Sequence, residues 1–512
     1  MKHFLAFSYN MHDSSVSIAS EERVLLVLEA ERYFGEKKKR CTRPEMEALV
    51  AVALAHVGLT IRDIEGVACT SYLNEHLPEE HRACDFREAH PISLGGRDYD
   101  AVVLNHHLAH AAIVYGFPDV TDVAIDVVDG GGDRGDTHCI YRYRDGRIEQ
   151  LPNAPIHDRF SSRFYDVVSR YLYGRIMCEG KLMALGALGE ARPEMLRFLR
   201  DHLEDLHHVP ADRGLELLAR KFGIESYQHD QRAFDLAAST QQLFEELRCE
   251  SVRALPSDTP DVLLAGGGTL NIIANTRVQA MLEGRRRVLI PPCCDDTGQS
   301  LGALLYYCHE VQKLPVTANM PFLGYSDGMP ARELSADDAT DELVEFLAKD
   351  GIAFVHHGQS EIGPRALGHR SIIARPTQRN HDLINHVIKG REFYRPLAPI
   401  IPLDAVSRWF DWEGESKFML LAGRAKEATW AHAQGICHYD GTARIQTVNG
   451  SEQPFLNRLL HRVGEATGCP ILINTSLNPR GLPILSKLED THAFRAQHRN
   501  LTIRVVAPGA KA

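Results

Sequence analysis

The chain has 512 residues, 44% hydrophobic and 24% charged, with a formal net charge of -11. That length exceeds what one hydrophobic core usually organises, so about two to four structural units are expected, and the composition excludes a disordered or fibrous chain. The acidic balance argues against a protein whose main task is to hold nucleic acid, which needs a broad basic surface.

The opening residues MKHFLAFSYNMHD are too briefly apolar for a signal peptide. No later segment approaches the ~18 uninterrupted apolar residues of a membrane span, so a cytoplasmic protein with no membrane partner is expected. Eleven cysteines lack any paired zinc spacing, and Cys293-Cys294 are neighbours, so buried reduced thiols are expected. The short basic run Lys37, Lys38, Lys39 and Arg40 reads as a phosphate contact or a solvated face.

In chain order, alternation predicts strands at Phe4 to Ser8, Ser15 to Ala19 and Val24 to Glu29, with His12-Asp13-Ser14 at the first bend. A similar meander returns at Val123 to Val128, His138 to Tyr143 and Arg147 to Leu151, the first of these entering Asp129-Gly130-Gly131-Gly132-Asp133. One design is used twice. A helical stretch follows from about Ser161 to Leu255. Strands Val262 to Ala265 and Val288 to Ile290 then lead into Gly266-Gly267-Gly268 and a Pro-Pro turn before a helix from Gly298. A Pro- and Gly-rich loop from Leu314 to Ser335 marks the expected boundary between units 1–335 and 336–512.

NHHLAHAA places His106 and His110 four apart, on one face of a helix at a spacing suited to one cation, with His107 about 100° round from His106. Asp129 and Asp296 sit in comparable strand-end turns and are expected to converge on the same crevice. Two imidazoles and two carboxylates suit iron(II), manganese or zinc better than calcium, and such an ion would polarise a carbonyl. The bare amides of the two glycine turns are candidate phosphate cradles. Neither a Walker A sequence nor GxGxxG after the first strand is present, which sets aside P-loop and Rossmann readings.

Longer strings carry a resemblance across essentially the whole chain. HDSS from His12, the pair Glu31-Arg32, NHHLAHAA, VDGGGD, EGKLMALGALG from Glu179, GGGTLN from Gly266 and DTGQSLGA from Asp296 occur in order. GQSEIGPRALGHRSI from Gly358, IKGREFYRPLAP from Ile388, HYDGTARIQTV from His438 and NTSLNPRG from Asn474 follow. The sequence resembles the O-carbamoyltransferases of the nodulation and antibiotic-biosynthesis type.

The resemblance implies an α/β protein with an actin-like carbamoyl-transfer domain, here 1–335, and a smaller YrdC-like domain, here 336–512. The second would form carbamoyl-adenylate from carbamoyl phosphate and ATP with magnesium, and the first would pass the carbamoyl group to a hydroxyl of a small specialised metabolite. It assigns His106, His110, Asp129 and Asp296 to iron(II), with another divalent metal as the alternative and Asp295 as the rival of Asp296. His12 and Lys37 map to the transfer site, where His12 would orient the acceptor hydroxyl or take its proton. Gly130, Gly131, Gly267, Gly268 and Asn271 would face the nucleotide there. Arg365, Lys389, Arg395, Arg444, Ser476 and Asn478 would take carbamoyl phosphate and ATP, since crowded phosphates require guanidinium and ammonium groups. A homodimer is an open option, and the acceptor is undetermined.

Three departures stand out: His369 where family members carry Asn, Arg375 where Asp is usual, and ALGALG for the usual GLAPYG. Two other readings compete. One is a threonylcarbamoyl transferase acting on tRNA, against which the negative charge weighs; the other is an actin-fold kinase or nucleotide-binding regulator, against which the long second unit weighs.

Overall fold

β1 (His3–Ser8), β2 (Ser15–Ser20) and β3 (Val24–Glu29) form the expected opening meander. Nearly every residue in them is buried, so the strands are covered on both faces and their polar–apolar alternation is weak. The computed structural model describes residues 1–10, 12–207 and 211–509. After the helix Arg43–His56, β4 (Ile64–Thr70) returns parallel to β1, the geometry that a long crossover allows. β5 (Arg87–Leu94) and β6 (Arg97–Leu104) complete a six-stranded sheet of order 3-2-1-4-6-5.

The second sheet repeats the plan. β7 (Asp122–Val128), β8 (His138–Arg144) and β9 (Arg147–Leu151) form an antiparallel meander. β10 (Asp261–Ala265) and β11 (Arg287–Leu289) lie parallel on the other side of β7, giving the order 11-10-7-8-9. The duplicated meander read from the sequence is therefore a duplicated sheet, with the strand plan of an actin-like α/β fold. The helical stretch between β9 and β10 is not continuous. It begins at Pro155 and breaks where Gly174 and Gly223 adopt left-handed caps and where Pro193 starts a new helix, before the long helix Gln231–Arg253.

The third sheet is mixed. It comprises β12 (Ile352–His356), β13 (Arg370–Ala374) and β14 (Ala398–Pro402). Next come β15 (Phe410–Asp411), β16 (Gly423–Ala425) and β17 (Thr442–Ala443), which form a small separate sheet. β18 (Gln446–Val448), β19 (Leu472–Ser476) and β20 (Ile503–Val506) complete the larger one in the order 18-14-19-13-12-20. This smaller α/β unit has its own core around Phe354, Ile372, Trp409 and Ile473.

The segment 314–335 contributes only isolated bridges, Arg23 with Thr317 and Phe322 with Glu361, and so stitches the first sheet to the unit 336–512. A buried ionic bolt reinforces it. Arg32 pairs with Glu29 at 2.6 Å and donates to the carbonyls of Glu361 and Gly363, while Glu29 accepts from the Gly363 amide. Burial outweighs the Arg32 charge and pushes the Glu29 carboxyl up to about 8. The loop so held leads directly to Arg365. All eleven cysteines are free, ten of them buried, as expected. Among the described residues, no helix is long and apolar enough to cross a membrane.

Candidate active sites

The first site is built where two helices meet the end of β7. Asn105 caps the helix His106–Ala111 by accepting from the His107 and Leu108 amides. Asp133 accepts from the His106 amide at 2.6 Å and from the Ser71 hydroxyl, which fixes the helix start. The helix Gln299–Tyr306 packs so closely that a Cβ on Gly302 would lie 1.8 Å from the Ala109 carbonyl oxygen. Only glycine permits that approach, and it brings Asp296, just ahead of this helix, to the histidines.

His106, His110, Asp129 and Asp296 each present one donor atom, all within 4.8 Å of one another. His110 Nε2 is 3.2 Å from an Asp129 oxygen and 3.3 Å from Asp296; His106 Nε2 is 3.4 Å from Asp296 and 3.9 Å from Asp129. Neither Nε2 has a hydrogen-bond partner, nor does Asp296 Oδ1. Ligands about 2.1 Å from one ion lie about 3.0 Å apart at right angles and about 3.4 Å apart at tetrahedral angles. The separations therefore match a shared cation better than a hydrogen-bonded cluster, and the donor set suits iron(II), manganese or zinc. Burial raises the Asp129 carboxyl, but His106 and His110 outweigh it and hold the group well below the usual range. Burial lowers His110, but Asp129 and Asp296 raise it to about 9.

A second group of possible ligands, Asp126, His138 and His157, is already satisfied. Asp126 bonds His138 at 2.7 Å, the Ser251 hydroxyl and the buried Arg248 guanidinium. His157 accepts from the Ala154 amide and so donates to the Ser251 carbonyl through its other nitrogen. It is an internal charge network with no donor left for an ion.

Around the first cluster the sequence reading is partly corrected. His12 lies 3.6 Å from Asp296 and bonds Asp13 at 2.8 Å, which places it beside the four-donor cluster. Burial pulls its imidazole down, but Asp13 and Asp296 outweigh that and raise it to about 9. The lysine that faces this site is Lys38, not Lys37. Lys38 bonds Asp13 at 2.6 Å and approaches Asp295 at 3.9 Å, with Asp13 and Lys38 both in the left-handed region at φ 61° and 59°. Among the described residues Lys37 makes no such contact, and burial and then the charges of Arg391 and Arg395, partly offset by Glu31, lower its ammonium. Lys39 pairs with Glu45 and Arg40 with Glu75, so the basic run is split in three directions. Asp295 accepts from Thr297 and lies outside the four-donor group, which favours Asp296. His107 is buried with neither ring nitrogen bonded and packs under Gly132.

The glycine turns also differ from the expectation. The Gly267 amide donates to Asp129 at 2.9 Å and the Gly130 amide to its other oxygen, so these turns hold the Asp129 carboxylate rather than an open cradle. Gly266, at φ 84°, makes this possible by abutting Val128, and Gly268 packs against the same residue. Gly131 lies beside Arg163, which bonds the Gly130 carbonyl. Asn271 is buried, caps the helix Ile272–Leu282 and exchanges hydrogen bonds with Gln241, so its side chain is committed to structure.

The second site gathers cations. Lys389 is 2% exposed, and its ammonium donates to oxygens of Ser476 and Asn478 at 2.5–3.1 Å. Ser476 and Asn478 thus position Lys389 with the very atoms expected to meet the substrate. Burial, then Arg391, Lys37 and Arg395, drives the Lys389 ammonium well below its ordinary value. Burial, then Arg395 and Arg365, pushes Arg391 down to about 9; burial, then Arg365, Arg391 and Arg395, drives Arg444 well below its range. Among the described residues, none of Arg365, Arg391, Arg395 and Arg444 pairs with a carboxylate, and the Nε atoms of Arg365 and Arg444 are buried without partners. Such a set of like charges is a site for a polyanion. Arg391 was missed in the sequence because it reads as half of an ordinary Arg-Glu surface pair. Arg365 lies between the sites, feeling Asp295 on one side and Arg395 on the other.

Two of the three departures lie elsewhere. His369 stacks on Phe322 at 3.6 Å and donates to the Gln359 carbonyl, and Arg375 bonds the Ala348 carbonyl near Asp350.

Known proteins are similar to this chain in sequence. A family model described as the carbamoyltransferase N-terminus matches residues 95–305, and one described as the carbamoyltransferase C-terminus matches 344–507. Nodulation protein NolO of Bradyrhizobium diazoefficiens is 30% identical over 419 residues, 76% of this chain and 75% of that one. Nodulation protein NolNO of Sinorhizobium fredii is 26% identical over 94% of this chain and 76% of its own. The 3'-hydroxymethylcephem-O-carbamoyltransferase of Streptomyces clavuligerus is 32% identical over 327 residues, 62% of this chain and 61% of that one. With both family models matched in order and the NolO identity spread over three-quarters of each chain, this protein belongs to the carbamoyltransferase family.

Proposed function

We propose that the chain is an ATP-dependent O-carbamoyltransferase whose unit 336–512 activates the carbamoyl group and whose unit 1–335 transfers it to a hydroxyl of a small metabolite. The observation that carries the reading is the cationic cluster of Arg365, Lys389, Arg391, Arg395 and Arg444, none of which is ion-paired with a carboxylate among the described residues, the neighbouring Glu392 being taken by Lys181. Carbamoyl phosphate and ATP together supply the anions it lacks, with magnesium accompanying the triphosphate.

Release of both phosphate and pyrophosphate balances only if water first splits carbamoyl phosphate into carbamate and phosphate. A carbamate oxygen then displaces pyrophosphate from the α-phosphorus of ATP, giving carbamoyl-adenylate. The arginines would hold the departing phosphates, and Lys389, fixed by Ser476 and Asn478, would add a point charge at a set position. Lys37 faces this cluster while Lys38 faces Asp13 and Asp295, so the two sites adjoin along these lysines and Arg365.

In the transfer step the acceptor oxygen would attack the carbamoyl carbon and AMP would leave. A divalent ion held by His106, His110, Asp129 and Asp296, expected to be iron(II), would supply Lewis acidity toward the carbonyl oxygen when bound. His12, steered by Asp13, would orient the acceptor hydroxyl, and a cation in the cluster would offset the pull of Asp296 on the imidazole and leave it able to take up the hydroxyl proton. The nodulation and cephem relatives are consistent with acceptors of the specialised-metabolite kind. The test is product analysis with ATP, magnesium and labelled carbamoyl phosphate. Carbamoyl-phosphate-dependent pyrophosphate and AMP, with label on a hydroxylated acceptor, is the expected result; ADP formation would return the protein to the kinase reading.

A further inference from the structure

Two large aromatic side chains stand beside the cationic cluster without packing that explains them. Phe393, between Arg391 and Arg395, is 52% exposed, and Tyr439, just ahead of Arg444, is 60% exposed. Their ring centroids are 6.2 Å apart at 84°. The segments that carry them are firmly held. Glu392 pairs with Lys181, Tyr394 is buried with its hydroxyl 3.0 Å from that of Tyr173, and the Arg395 amide closes a turn onto the Glu392 carbonyl. The turn bearing Tyr439 is closed by the His438 amide on the Thr442 carbonyl and the Gly441 amide on the His438 carbonyl. Backbone geometry therefore presents both rings to water, and Trp430, 43% exposed and adjacent to Gly441, extends the same edge.

Guanidinium groups recognise phosphates of any origin and do not distinguish one nucleotide from another. Selection of a nucleotide must come from contacts one ribose away from the phosphates, and stacking on exposed aromatic faces is the interaction every base offers. Resting on the ATP reading above, we propose that Phe393 and Tyr439 hold the adenine of ATP during carbamoyl activation, one ring stacking on the base and the other, set at 84° to it, meeting its edge. Both rings are carried by the same short segments as the phosphate-binding arginines, so base and phosphates are gripped by one rigid unit.

The test uses the full-length protein and pyrophosphate release, with Phe393→Ala, Tyr439→Ala and Phe393→Tyr. Each alanine variant is expected to raise the KM for ATP about five- to twenty-fold, with the KM for carbamoyl phosphate unchanged and Phe393→Tyr close to wild type. Preference for ATP over a pyrimidine triphosphate should narrow in the alanine variants. An unchanged KM for ATP overturns the proposal, as does an equal rise for both substrates. A shifted size-exclusion profile with unaltered kinetics would also overturn it, making the rings a partner surface. A wild-type protein that releases no pyrophosphate from ATP overturns the ATP reading itself, which is distinguishable from failure of the variants alone.

Discussion

The two clusters differ in the sign of what they lack. In the first, imidazoles and carboxylates partly neutralise one another, yet sit 3.2–3.9 Å apart with buried donor atoms unpaired. In the second, four arginines and Lys389 repel one another with no ion-paired acid among the described residues, since Glu392 is held by Lys181. The Asp126–Arg248–His138 network marks what a purely structural cluster looks like here, buried, of mixed charge and bonded through. Measured against it, the first cluster has the donors for a cation and the second the charges for a polyanion, which is the division of labour proposed above. The comparison assigns them separate chemical duties and predicts that each can be broken without the other.

The largest effect is expected from Asp129→Asn, which removes a charge and a ligand atom from the first cluster. Metal bound per chain should fall toward zero and transfer to the acceptor by about 1000-fold, while pyrophosphate release survives. Arg391→Ala breaks the second cluster instead. It should lower kcat/KM for pyrophosphate release about 10- to 100-fold, the value of one or two charge-assisted hydrogen bonds, with metal content unaltered. The lysine pair sharpens the boundary between the clusters. Lys38→Met should depress transfer about 10-fold and Lys37→Met activation by a similar factor, each read against the other half-reaction. The smallest effect belongs to Asn271→Ala. Loss of its cap should cost about 1 kcal/mol of stability in denaturant unfolding, with the KM for ATP unchanged.

Much of this layout was legible in the sequence. The repeated meander was, because strand, turn and strand recur in both halves, and the convergence of His106, His110 and Asp129 was, because helical spacing and a strand-end turn place them, whereas the choice of Asp296 over Asp295 needed the fold. The choice between Lys37 and Lys38 was not. Side-chain direction in a turn with left-handed residues follows no period, so adjacent lysines can face opposite sites. Nor was the use of the Gly267 amide legible, since whether a bare N–H meets a phosphate or a carboxylate depends on Asp129, 138 residues away. Arg391 was hidden for a similar reason: only the fold reveals that its neighbours are three more arginines. The bolt from Glu29 and Arg32 to residues 361–363 joins units that sequence reading treats separately.

The most direct test of two separable sites is to strip the transition metal from the intact protein with a chelator, restore magnesium, and follow both half-reactions. Carbamoyl-phosphate-dependent pyrophosphate release should continue while transfer to the acceptor stops, and iron(II) added without oxygen should restore transfer. Loss of both half-reactions together, or of neither, would contradict the division of labour described above.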